Sequence, residues 1–305
     1  MDRLPIGVFD SGLGGLTVVA EIMRALPAEA VTYFGDTARC PYGPRPPDEV
    51  ERFVLQIGTW LSAHPVKLLV IACNTGTAAG LDIAQRTFDV PVIGVIEPGA
   101  RAAVKATRNR KVGVIGTVGT IESGAYSRAV RAIDAGVTVF SAATPKFVDV
   151  VESGLRMGPG TAEDWLAGTS EVFIRPSFHQ MARDYLDPLK RTGIDTLVLG
   201  CTHFPLLTPA IQQVVGSQVR LISSAEETAR EVAATLAARG QAATGGAPEH
   251  AFVTTGDAEE FTTLGSRILG RSIPAASHVE VSDLERLALP SARVADGGGG
   301  AASCA

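Results

Sequence analysis

Leu68-Leu69-Val70-Ile71-Ala72-Cys73-Asn74-Thr75 has a counterpart in Thr196-Leu197-Val198-Leu199-Gly200-Cys201-Thr202-His203. Each is a short apolar run followed by a small residue, a cysteine and polar side chains. A continuous apolar run without polar alternation reads as a strand buried on both faces, the situation in a parallel sheet covered by helices. A second pair matches as well: Gly7-Val8-Phe9-Asp10-Ser11 and Gly113-Val114-Ile115-Gly116-Thr117 each end in a Gly- and hydroxyl-rich turn. A duplicated half accounts for both pairs. Open α/β sheets hold ligands at the carboxyl ends of their strands, so two facing lobes would present Cys73 and Cys201 across one cleft. One cysteine after a buried strand is commonly inert packing; two at equivalent strand ends call for a chemical explanation.

Working outward, further short β-branched runs appear at residues 6–9, 31–34, 66–72, 90–95, 111–115, 137–140, 196–199 and 219–222, with helical stretches between them. This alternation predicts an α/β fold: two pseudo-symmetric domains, each a mostly parallel sheet flanked by helices, with the active site in the cleft between them. A helix is expected over 225–239, with Glu226 and Glu227 in its first turn and Gly240 as its stop. Residues 241–248 read as a loop, and from Ser291, past Gly297 to Gly300, little remains to pack, so a disordered tail is expected.

The chain has 305 residues, 46% hydrophobic and 19% charged, with a formal net charge of −5. That acidic balance argues against nucleic acid as substrate, since such binding draws on clustered Lys and Arg. The first strand follows so soon after Met1 that no secretory leader fits before it, and no apolar run approaches the ~20 residues of a membrane helix. A cytoplasmic protein that does not engage membranes is expected. In that reducing compartment the four cysteines do not read as disulfides, and Cys40, Cys73, Cys201 and Cys304 lack ligand spacing, so no metal site is expected. Gly12-Leu13-Gly14-Gly15 breaks the G-x-G-x-x-G spacing of a dinucleotide turn, no P-loop occurs, and none of the five lysines sits in a recognisable cofactor motif. No cofactor is expected.

Two opposed thiols suit a reaction in which one face of a carbon loses a proton and the other gains one, which is racemisation or epimerisation. A thiol needs help to ionise near neutral pH. The polar turns after each cysteine would start helices whose free N–H groups favour anions, and His203 and Asp10 are candidate proton partners. A Cys–His protease would need only one of the two cysteines.

The sequence resembles the cofactor-independent glutamate racemases of the aspartate/glutamate racemase superfamily over nearly its whole length to about Gly270. The resemblance rests on residues 9–16 (FDSGLGGL), 33–37 (YFGDT), 41–43 (PYG), 72–75 (ACNT), 94–99 (GVIEPG) and 199–207 (LGCTHFPLL). It implies that Cys73 acts on D-glutamate and Cys201 on L-glutamate, with Asp10, Glu152 and His203 assisting the thiols. Substrate contacts carry over to Asp10, Ser11, Tyr42, Gly43, Asn74, Thr75, Thr202 and His203, with Thr117 and Thr120 from the other lobe. Gly76 and Phe204 depart from the usual pattern without affecting it, and Cys40 falls at a variable position and reads as incidental. The start of the chain lacks the extension of relatives that need a cell-wall precursor as activator, so such activation is not expected. The resemblance further implies domains 1–95 plus 208–305 and 96–207, and D-glutamate supply for peptidoglycan; because the chain would cross twice between those domains, the cleft is expected to close over substrate. A racemase for aspartate or another acidic substrate, and a non-catalytic amino-acid-binding protein, remain alternatives; oligomeric state is open, a homodimer included.

Overall fold

The computed structural model describes residues 3–157 and 176–290. The expected tail from Ser291, with Cys304, lies outside the described residues. Two all-parallel sheets organise the chain. The first contains β1 (Ile6–Asp10), β2 (Val31–Gly35), β3 (Leu68–Ile71), β4 (Val92–Gly94), β9 (Ala251–Thr254) and β10 (Ser277–His278), in the order β10-β9-β2-β1-β3-β4. The second contains β5 (Lys111–Gly116), β6 (Thr138–Ala143), β7 (Thr196–Gly200) and β8 (Arg220–Ser223), in the order β6-β5-β7-β8.

The strands form where the apolar runs lie because both of their faces are covered. In the first sheet Phe9, Phe34, Leu69 and Ile71 pack with Val54, Ile57, Leu61 and Phe88, while Ile6, Val8, Tyr33, Leu68 and Val70 pack with Leu16, Val19 and Ile22. Period-two alternation therefore sends successive side chains to two apolar layers, at roughly 1.5–3 kcal/mol of stabilisation for each large side chain buried. The registers set β1 and β3 in step, Phe9 opposite Ile71, and β5 and β7 in step, Gly116 opposite Gly200. Equivalent strand ends in the two sheets thus carry Asp10 and Cys73 on one side, Thr117 and Cys201 on the other.

Two expectations are corrected. The return to the first lobe was placed at residue 208, but β8 pairs with β7 in the second sheet, so the chain returns only after Ser223. Helices Ile96–Ala106 and Ser224–Ala238 carry the two crossings and pack against each other. The third run was expected to span 66–72, but Lys67 is the last residue before β3, fully buried beside Glu29. Its Nζ lies 2.5 Å from Glu29 Oε2 and 2.9 Å from the carbonyl of Gln241. Glu29 Oε1 accepts the N–H of Ala243. The pair thereby pins the 241–248 connection, which carries no helix or strand, to the amino end of the first sheet. Removing one member of a buried ion pair leaves an uncompensated charge, at about 3–5 kcal/mol. Lys67→Met is expected to lower unfolding stability in urea by that order; an unchanged midpoint and slope would show the pair to be incidental.

Candidate active site

The carboxyl ends of both sheets open onto one cavity of about 190 Å³, lined by Ser11, Cys40, Tyr42, Gly43, Cys73, Asn74, Thr75, Thr117, Cys201, Thr202 and His203, with Pro41, Pro44, Val118, Pro145, Val148 and Asp149 completing its wall. It is smaller than the roughly 300–1,000 Å³ of drug-sized sites, and no Lys or Arg is among these residues. Cys73 and Cys201 are both buried and free.

Cys73 stands before the helix Asn74–Thr87 and caps it through sulfur, which accepts the N–H of Gly76 at 3.3 Å. Ser11 Oγ lies 3.8 Å from the same sulfur. Burial and, next, the charge of Asp10 push the Cys73 thiol above the usual thiol range, against the pull of those two contacts. Cys201 meets a different neighbour: its sulfur is 3.7 Å from Nδ1 of His203. The expected helix after Cys201 is a 3₁₀ turn, Phe204–Leu207.

His203 is 4% exposed. Burial disfavours its charged form, but contacts with Cys201 and Glu152 outweigh this and raise its pKa to about 10. Nε2 lies 3.3 Å from Glu152 Oε1, an ion-pair contact without hydrogen-bond alignment, since Nε2 has no hydrogen-bond partner. The same contact with His203 holds the Glu152 carboxyl below its ordinary range.

Asp10, Thr120 and Glu152 stand behind the cavity wall rather than on it. Asp10 Oδ2 accepts the N–H groups of Gly15 at 2.9 Å and Gly12 at 3.3 Å, so those glycine donors are spent on a side chain rather than offered to a ligand. Oδ1 is buried without a partner, and burial raises the Asp10 pKa despite the nearby His203 cation. The glycine turn has a steric purpose. A Cβ on Gly14 would come within 2.4 Å of Thr202 Oγ1 and 2.7 Å of His203 Nδ1, so glycine lets these two side chains keep their places beside Cys201. Thr17 Oγ1 fastens this junction by donating to the carbonyl of Thr202 at 3.0 Å.

Other donors converge from both lobes. Thr75 Oγ1 lies 2.9 Å from Thr117 Oγ1 and 3.2 Å from Thr120 Oγ1. Among the described residues, the N–H groups of Tyr42, Gly43, Asn74, Thr75, Thr202 and His203 have no backbone acceptor. Asn74 Nδ2 is buried and unpartnered, while its Oδ1 accepts the hydroxyl of Tyr126 at 2.7 Å. Unpaired donors of this kind beside a cavity suit carboxylate oxygens.

Sequence reasoning missed Tyr126, which sits in the helix Ala125–Ile133 with nothing in its surroundings to signal a polar role. It also misjudged Cys40, which lines the cavity and lies 3.8 Å from Glu152 Oε1. Its position directly before Pro41-Tyr42-Gly43 was the available signal.

A family model described as Asp/Glu/hydantoin racemase matches residues 6–232. A curated glutamate racemase from Bacillus cereus is 46% identical over 275 residues, which is 90% of this chain and 96% of that protein. Among solved structures, a glutamate racemase isoform from Bacillus anthracis aligns with a TM-score of 0.83 at 44% identity, covering 92% of this chain and 99% of the other. Glutamate racemase from Francisella tularensis in complex with D-glutamate gives 0.81 at 31% identity, covering 93% and 100%. Sequence and fold agree along almost the entire length, and the chain belongs to the Asp/Glu/hydantoin racemase family.

Proposed function

We propose that this protein interconverts L- and D-glutamate by two-base proton transfer at the α-carbon, without a cofactor, in the cytoplasm, and that the D-glutamate feeds peptidoglycan synthesis. The observation that carries this reading is the arrival of two free cysteines from equivalent strand ends of two sheets in one small, donor-rich cavity. The glutamate-racemase names of the relatives support the choice of substrate.

In this reading Cys201 sulfur removes the α-proton of L-glutamate while Cys73 S–H delivers a proton to the opposite face; the reverse reaction exchanges the roles. The neighbours of the thiols differ in a way that fits. Burial favours the neutral Cys73 thiol, a proton donor, whereas His203 beside Cys201 supplies the cation that a thiolate needs. The free N–H groups and Asn74 Nδ2 hold the two substrate carboxylates, and the donors on the α-carboxylate stabilise the carbanionic α-carbon. The hydroxyls of Thr75, Thr117 and Thr120 span the two lobes, and Ser11 and Thr202 complete the polar wall. Closure of the cleft over substrate would exclude water and strengthen each of these interactions.

Incubation with L-glutamate is expected to abolish its circular dichroism, and Cys73→Ser or Cys201→Ser to slow this by at least about 10²-fold while glutamate still binds. Loss of signal with L-aspartate alone would reassign the substrate; near-normal turnover in either variant would remove the two-base scheme.

The pH profile offers a separate check. Glu152 favours the protonated His203, so replacing its charge lowers the affinity of His203 for its proton. Glu152→Gln is expected to move the alkaline limb of kcat to lower pH. An unmoved or upward-shifted limb would detach His203 from catalysis.

A further inference from the structure

Asp36 is fully buried at the end of β2 and belongs to none of the proton-transfer groups. Both of its carboxylate oxygens are engaged. Oδ2 accepts Arg39 Nε at 2.7 Å and the hydroxyl of Tyr42, and Oδ1 accepts Thr255 Oγ1 at 2.8 Å. Arg39 is in turn fixed by Gln56 Oε1 at 2.6 Å and lies over the Phe53 ring, 4.1 Å from its centroid. Tyr42 packs against the same ring. The network therefore gathers β2, the helix Pro47–Ala63 and the segment after β9 around one carboxylate.

Its output is the loop 40–44, which supplies Cys40, Pro41, Tyr42, Gly43 and Pro44 to the cavity wall. Because the Tyr42 hydroxyl is committed to Asp36, Tyr42 offers a ligand its ring and its backbone N–H rather than its phenol. Burial and the charge of Asp36 keep that phenol protonated, hence a donor. Beyond Tyr42 the loop reaches the second lobe: the carbonyl of Gly43 accepts the N–H of Gly119 at 2.9 Å, and a Cβ on Gly43 would stand 2.8 Å from that of Thr117. Small shifts of Tyr42 would therefore be transmitted both to the free N–H groups of Tyr42 and Gly43 and to the contact between lobes.

We propose that Asp36 is a positioning residue for substrate binding: by clamping the Tyr42 hydroxyl it fixes the Tyr42–Gly43 backbone as a carboxylate receptor. This deepens the glutamate reading and rests on it. The carboxylate assigned to this receptor is the one on the substrate side chain, which takes no part in the proton transfer, so the clamp acts equally on both enantiomers and on the transition state. It therefore contributes uniform binding, which appears in KM rather than kcat.

The test uses Tyr42→Phe, Asp36→Asn and the double variant, with kcat and KM for D- and L-glutamate, calorimetric binding of D-glutamate and thermal unfolding. Tyr42→Phe removes one hydroxyl and retains the Arg39 ion pair, so it keeps the test alive if Asp36→Asn, which strands Arg39, does not fold. A hydrogen bond to a charged group corresponds to roughly a tenfold or greater factor. Tyr42→Phe should raise KM for both enantiomers by about that factor with kcat nearly unchanged, and should weaken calorimetric binding in parallel. Where Asp36→Asn folds, the double variant should be no weaker in binding than Asp36→Asn alone. A fall in melting temperature with unchanged KM, or a fall in kcat alone, overturns the proposal. A wild-type protein that neither binds nor racemises glutamate overturns the functional reading instead.

Discussion

The absence of a side chain at residue 14 is the constraint on which the site depends. One carbon added there would stand 2.4 Å from Thr202 Oγ1 and 2.7 Å from His203 Nδ1, so both side chains would have to leave the positions they hold between Cys201 and the turn after β1. The two sheets do not share a strand, so their relation is fixed by such contacts and by the two packed crossing helices. Parallel pairing then does the rest. It sends every strand of a sheet in one direction, and the functional turns necessarily gather at the same edge.

The electrostatic character of the cavity follows from what that edge supplies. Strand ends and helix starts bring unpaired N–H groups and short hydroxyl side chains, and among the described wall residues His203 has a raised pKa that favours its cation. Behind the wall, Asp10 is neutralised in part by glycine N–H groups and Glu152 by His203 and Arg156. Dipoles fixed by the backbone need no reorganisation as charge develops on a ligand.

Much of this was legible because burial leaves a one-dimensional trace. The runs Leu68–Ala72 and Leu197–Leu199 are apolar without interruption, and the matching cysteines that follow them mark the cleft. β9 and β10 were missed for different reasons. Ser277–His278 is two exposed residues, whereas Ala251–Thr254 is largely buried but has only two large apolar residues, Phe252 and Val253. The return between lobes was misplaced because nothing in residues 208–223 reveals which sheet β8 joins; pairing partners are chosen by tertiary packing. Roles that depend on contacts across the fold were likewise invisible. Tyr126 reaches Asn74, and Cys40 reaches Glu152, only after the lobes have come together.

The order of strands has a bearing on biosynthesis. β2 borders β9, and β9 is made after the whole second lobe has been translated. Until then the ribosome-bound chain presents a bare, largely buried-type edge along Val31–Gly35, the kind of surface that invites adventitious strand pairing and chaperone capture. Thr255, which follows β9 directly, also completes the set of groups around Asp36. The nascent enzyme would thus acquire its finished substrate pocket only when its last quarter docks, and a truncated chain would be left both sticky and idle.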